Sequence, residues 1–183
     1  MEPLRRWEAE NAAGYLEAAP DYAEPIVGWR VWLAIEERDA LRLRSVLYYD
    51  VWPPGREMVA LCRAFERDLL RPWRRKTHAA PSERCLCGIY ASWEVREAVD
   101  YLQGLHRPGG PVVRHVVGLA SLWGTVVECE RGWRASHAYP VRIYVPERRT
   151  GGEAVPPAKE IARRLAVYGV PVAAYSDSRR TNT

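Results

Sequence analysis

Cys62, His78, Cys85 and Cys87 are the residues whose types and spacing point most directly to chemistry, in the pattern C-x15-H-x6-C-x-C. Thiolate and imidazole are the ligands that zinc takes in a tetrahedral site. C-x-C is a looser signature than C-x-x-C, because alternate residues of a strand face opposite ways. Both thiols reach one ion only where the backbone turns at Leu86, and Gly88 eases such a turn. Four ligands would close the site and make it a structural zinc clip. A catalytic zinc would keep one position open beside a general base, and Glu83 is the only adjacent carboxylate. Two other readings stand beside the clip. The cysteines could be inert, with Cys62 a small hydrophobe on a helix face. They could also form a redox pair or a disulfide. Cys129 reads as a packing residue.

A second set of residues suits binding. The chain holds eight Trp and ten Tyr against a single Phe, and all its basic residues but Lys76 and Lys159 are arginine. Indole and phenol rings stack on bases, and guanidinium forks grip phosphate. Trp29, Tyr90, Ser92, Trp123, Glu128, Trp133 and Arg134 are candidates for the wall of an aromatic pocket. Ser92 also reads as a helix N-cap. Arg71, Trp73, Arg74, Arg75 and Lys76 form the densest basic patch, a pattern that fits a phosphate backbone. The net charge of +4 permits a nucleic-acid partner without requiring one.

Phosphate-binding loops, dinucleotide fingerprints, HExxH and the nucleophile elbow are missing from the sequence. His115 and the Ser136–His137 pair supply imidazoles but no triad order. The reading is therefore noncatalytic, with no catalytic residue assigned.

The elements that must position these groups follow from periodicity. Residues 1–25 read as an Ala/Glu-rich, weakly helical arm. Ile26–Glu36 alternates, with Val27, Trp29, Val31, Leu33 and Ile35 on one face, and predicts a strand. After a polar turn, Leu41–Val51 alternates again and pairs with it as an antiparallel hairpin. Arg56–Leu70 changes period, placing Met58, Leu61, Cys62, Phe65 and Leu69 on the stripe of an amphipathic helix. Cys87–Ser92 predicts a short strand and Trp93–Gln103 a helix stopped by Gly104. Val112–Glu130 is the strongest β signal, with Gly118 and Gly124 marking bulges or close backbone approach. Trp133–Val145 returns from it, bent at Pro140. Lys159–Tyr168 predicts a helix ended by Gly169, and Val170–Tyr175 a last strand.

These elements make an α+β domain with a mainly antiparallel, curved or barrel-like sheet and three or four short helices. The core spans 26–146, followed by a helix–strand appendage at 147–175 and a disordered tail at 176–183. No apolar run is long enough to cross a bilayer, and Met1–Glu10 lacks the pattern of a secretory signal. A cytoplasmic setting follows, in which the cysteines would be reduced. Oligomeric state is left open by the sequence.

The run CGIYAS, a helix, then VVGLASLWGTVVE and a returning strand resemble the core of PUA-like barrels of the ASCH and EVE types, over about Ile26–Val145. That resemblance implies RNA or modified-base binding, and for a few members hydrolysis of modified nucleosides. The hydrolytic members use a lysine paired with carboxylates, and neither Lys76 nor Lys159 occupies such a place. The segments HAAPSERCLCGIYA and LWGTVVECERGWRASHAYP also look like a small bacterial family of unknown function. The leading expectation is a noncatalytic nucleic-acid-binding module that takes a modified or flipped base. The alternatives are a small hydrolase working near Tyr90, Glu128 and Trp133, and a protein-interaction adaptor.

Overall fold

The computed structural model describes residues 24–63, 65–66, 74–75, 78–82, 84–103, 112–147 and 156–175. Of the arm expected at 1–25, residues 1–23 lie outside them, as does the tail at 176–183. Strands dominate. β1 (Ile26–Glu37) and β2 (Ala40–Arg44) form the expected hairpin, with Glu37 opposite Ala40. Arg38 and Asp39 fill its two-residue turn in left-handed conformations, φ 49° and 63°. Such a turn matches the twist of the flanking strands. The second predicted strand stops at Arg44. The chain bends through 45–50 and resumes as β3 (Val51–Trp52), which pairs back on β2.

β8 (Val112–Cys129) and β9 (Gly132–Pro146) make one long antiparallel hairpin. Its register shifts fall beside Gly118 and Gly124, between Leu119 and Ala120 and between Trp123 and Val126. Pro140 sits at the first shift. β8 also pairs with β1 from Ile26 to Ile35. β7 (Ile89–Ser92) lies between β1 and β9 and closes a four-strand ring, touching β1 only at Trp29 and β9 at four positions. Closure depends on Gly132, whose φ of 149° suits glycine and whose missing side chain leaves room for the Ala91 carbonyl. The result is a partly closed ring rather than a full barrel. β10 (Val172–Tyr175) extends it from β9 in parallel, so the sheet is mixed.

Two helices are present among the described residues, fewer than the sequence suggests. α1 (Val95–Gln103) begins after Ser92, which is the last residue of β7 and pairs with Trp29 and Gly132. Ser92 is therefore a strand residue and not the helix cap. α2 (Ala158–Leu165) runs into a 3-10 turn at Ala166–Tyr168, and Gly169 ends it at φ 69°.

The predicted Arg56–Leu70 helix is replaced, where described, by short strands: β4 (Met58–Val59) and β5 (Phe65–Glu66), the latter paired with β6 (Arg74–Arg75). β4 takes the backbone of Ala138 and His137 on β9, and Ala60 N–H donates to Ser136 O at 2.7 Å. Val59 and Leu61 stay exposed. The helical period is a local signal, outweighed where the chain is described by backbone that finds partners on β9.

The main core fills the ring with Trp32, Ala34, Leu41, Leu43, Trp52, Val116, Leu122, Ile143 and Val145. Ile161, Leu165 and Tyr168 from the C-terminal segment enter the same core. β1 is buried on both sides. Its even-numbered residues Trp32 and Ala34 face this core, while Trp29 and Val31 pack with Ala98 and Val99 of α1. The face assigned from alternation is thus the helix-covered one. No described helix is long and apolar enough to cross a membrane.

Candidate metal centre

One edge of β9 brings the cysteines together. β7 occupies its residues 132–135 and β4 occupies 137–138, end to end. Both run antiparallel to β9, so the chain leaves β4 toward Cys62 where the chain entering β7 arrives through Cys87. The ligand atoms of Cys62, His78, Cys85 and Cys87 all lie within 4.8 Å of one another. Cys62 Sγ and Cys85 Sγ are 3.8 Å apart, and His78 Nε2 and Cys87 Sγ are 3.3 Å apart. Zinc–ligand bonds of about 2.3 Å to sulfur and 2.0 Å to nitrogen give tetrahedral edges of about 3.8 Å and 3.5 Å. The Cys62–Cys85 separation is far beyond a disulfide's bond length of about 2.05 Å. All four cysteines are free thiols.

The C-x-C difficulty is resolved by a turn. Residues 85–88 are not strand, Leu86 is 87% exposed, and Gly88 has φ 127°. A Cβ at Gly88 would stand 3.0 Å from Arg134 Cβ and 3.1 Å from Pro81 Cβ. Tyr90 OH donates to Leu86 O at 2.8 Å and holds the outward peptide.

Arg134 organises the loop from behind. It is only 6% exposed and pairs with Tyr90 across β7 and β9. Its Nη1 donates to Cys87 O at 3.0 Å, Ser82 O at 3.3 Å and the Cys85 carbonyl. Its Nε donates to Cys129 Sγ at 3.2 Å. Cys129, read from the sequence as packing, therefore anchors the guanidinium as well. No sequence signal marked Arg134 as a clasp, since its carbonyl partners are distant in the chain. Burial, and after it the neighbouring Cys85 thiol, pushes the Cys87 thiol up. Thiols this close resist ionising together unless a cation lies among them. Three sulfurs and one imidazole supply a closed N/S donor set, the kind that holds an ion rather than presenting it to substrate.

No family model, curated protein or solved structure matches the chain.

The pocket candidates separate. Tyr90 and Arg134 meet on one face, the guanidinium 5.9 Å from the ring centroid. Trp133 is opposite Ala91 and Glu128, on the other face of the sheet. It packs edge-to-face against Trp93 at 6.0 Å. Trp29, opposite Ser92, stacks on Tyr144 at 6.1 Å. Trp123 stands farther along the hairpin, stacked on His137 at 6.0 Å. Ser136 and His137 serve the bulge there, Ser136 Oγ accepting from Thr125 N–H at 3.0 Å. Of the basic patch, Arg71, Trp73 and Lys76 lie outside the described residues. Arg74 and Arg75 are backbone partners of Glu66 and Phe65.

Proposed function

We propose that this chain is a noncatalytic nucleic-acid-binding module whose ligand-bearing loop is clipped by a structural zinc ion on Cys62, His78, Cys85 and Cys87. The observation that carries the zinc reading is the convergence of four N/S donors within 4.8 Å of one another, two of the pairs at 3.8 and 3.3 Å, close to tetrahedral edge lengths. Three thiolates, a neutral imidazole and a dication would leave one negative charge, which the buried Arg134 guanidinium complements. The free thiols suit a reducing compartment such as the cytoplasm. A PUA-like relationship, read from strand order, belongs to the same proposal. Nucleic acid as the ligand class rests on the arginine-dominated positive charge and on the aromatic surface.

Metal content of the purified chain tests the first half. One zinc per chain is expected, with a thiolate-rich tetrahedral spectrum after exchange for cobalt. A metal-free chain that neither takes up zinc nor gains thermal stability from it would overturn the clip. Fluorescence anisotropy with single- and double-stranded RNA and DNA tests the second half. Binding that weakens steeply with salt is expected, and no binding at low salt would overturn it.

A further inference from the structure

The bend between β2 and β3 carries two consecutive tyrosines that the core does not use. Tyr48 is 53% exposed and Tyr49 72% exposed. Each ring has an arginine on one side: the Arg63 guanidinium lies 5.6 Å from the Tyr48 centroid, and Arg44 lies 4.6 Å from that of Tyr49. A guanidinium on one face steadies a ring and leaves its other face to solvent. Arg30 sits beneath the same bend, its guanidinium 5.0 Å from the Trp52 ring and 3.4 Å from Ser45 Oγ. Asp50 pairs with Arg63. Of these guanidiniums Arg63 is the exposed one, while Arg44 is buried and Arg30 is desolvated beneath the bend. Arg63 also follows Cys62 directly, so the metal loop and this face share one stretch of chain.

We infer that Tyr48 and Tyr49 form a stacking platform for successive bases of a single-stranded nucleic acid, with Arg63 beside them for the phosphate backbone. Exposed rings backed by cations are the recurring means of holding bases without reading their edges. The chain's net charge of +4 suits a polyanion. This deepens the nucleic-acid reading above and depends on it. It also couples the two sites: an ion that fixes Cys62 fixes Arg63, so the zinc-loaded chain binds strand more tightly.

The test is fluorescence anisotropy of the zinc-loaded full chain with fluorescein-labelled oligo-dT and oligo-rU of about 12 nucleotides. Y48A/Y49A is expected to weaken binding by about tenfold per ring, with zinc content and thermal midpoint unchanged. Y48L/Y49L keeps bulk without the π face and is expected to lose binding equally. R63A is expected to lower the salt slope by about one. Wild-type binding that both double variants retain would overturn the platform and leave nucleic-acid binding elsewhere intact. A wild-type chain that ignores both oligonucleotides and their RNA and DNA duplexes would overturn the wider reading, and the platform with it, leaving a protein surface as the remaining occupant of these rings.

Discussion

Arg134 donates to the carbonyl of Cys87 at 3.0 Å, joining β9 to the backbone of a residue whose Sγ faces His78 at 3.3 Å. The same guanidinium reaches the Ser82 and Cys85 carbonyls and the Cys129 sulfur. One buried cation therefore fixes the peptides between which two of the candidate ligands hang.

Replacing Arg134 should loosen the metal centre without touching a ligand. R134M is expected to lower zinc affinity by roughly 10- to 100-fold, the usual effect of removing an outer partner of a metal ligand. R134K should recover part of it, because lysine keeps the charge but not the fork. Competition with a chromogenic chelator measures the affinity, and the cobalt spectrum reports ligand geometry. Unchanged affinity in both variants would remove Arg134 from the centre.

Gly132 should tolerate no side chain. A Cβ there would run into the Ala91 carbonyl, and φ of 149° is unfavourable for alanine. G132A is expected to cost about 3 kcal/mol or more in urea unfolding, combining crowding with backbone strain. The β7–β9 rungs should lose amide protection first. A variant as stable as wild type would mean that ring closure does not need that glycine.

Tyr168 should set an alkaline limit on stability. Its phenol donates to Trp52 O at 2.7 Å and accepts from Leu43 N–H at 2.8 Å. Burial pushes it up to about 12. An unfolded tyrosine titrates near 10. The raised value means that the folded state holds the proton more tightly. The contribution is therefore full below pH ~10 and lost as pH rises toward about 12. Y168F should cost about 1–3 kcal/mol at neutral pH, leaving both partners unsatisfied. Its stability should also fall less steeply above pH ~10. Parallel unfolding curves for the two proteins across that range would contradict the assignment.

Alternation and turn chemistry made the two long hairpins legible. Glycines and Pro140 marked the kinks of the β8–β9 hairpin, and Gly169 the end of the last helix. The cysteine group was legible from residue type and the presence of Gly88. The helix predicted over Arg56–Leu70 was not, because the stripe of Met58, Leu61 and Cys62 is a local signal while the empty edge of β9 is a distant one. Ser92 failed as a cap for a related reason: β7 keeps it for pairing with Trp29 and Gly132. The odd face of β1 is the more apolar in sequence, since Arg30 and Glu36 lie on the even one, yet it is Trp32 and Ala34 of the even face that meet the main core, with α1 covering the other. The alternation read over Leu41–Val51 is interrupted by the bend at 45–50, which leaves Tyr49 exposed.

The placement of β4 and β7 end to end on β9 has an engineering consequence. The ligand atoms of Cys62 and His78 lie within 4.8 Å of each other, between β4 on one side and β7 on the other. The ends of the segment joining them are already met, so adding residues to it costs only the slow logarithmic growth of loop entropy. It is a natural cassette: a tag, a fluorophore or a foreign peptide could be spliced there while the ring beneath keeps its register.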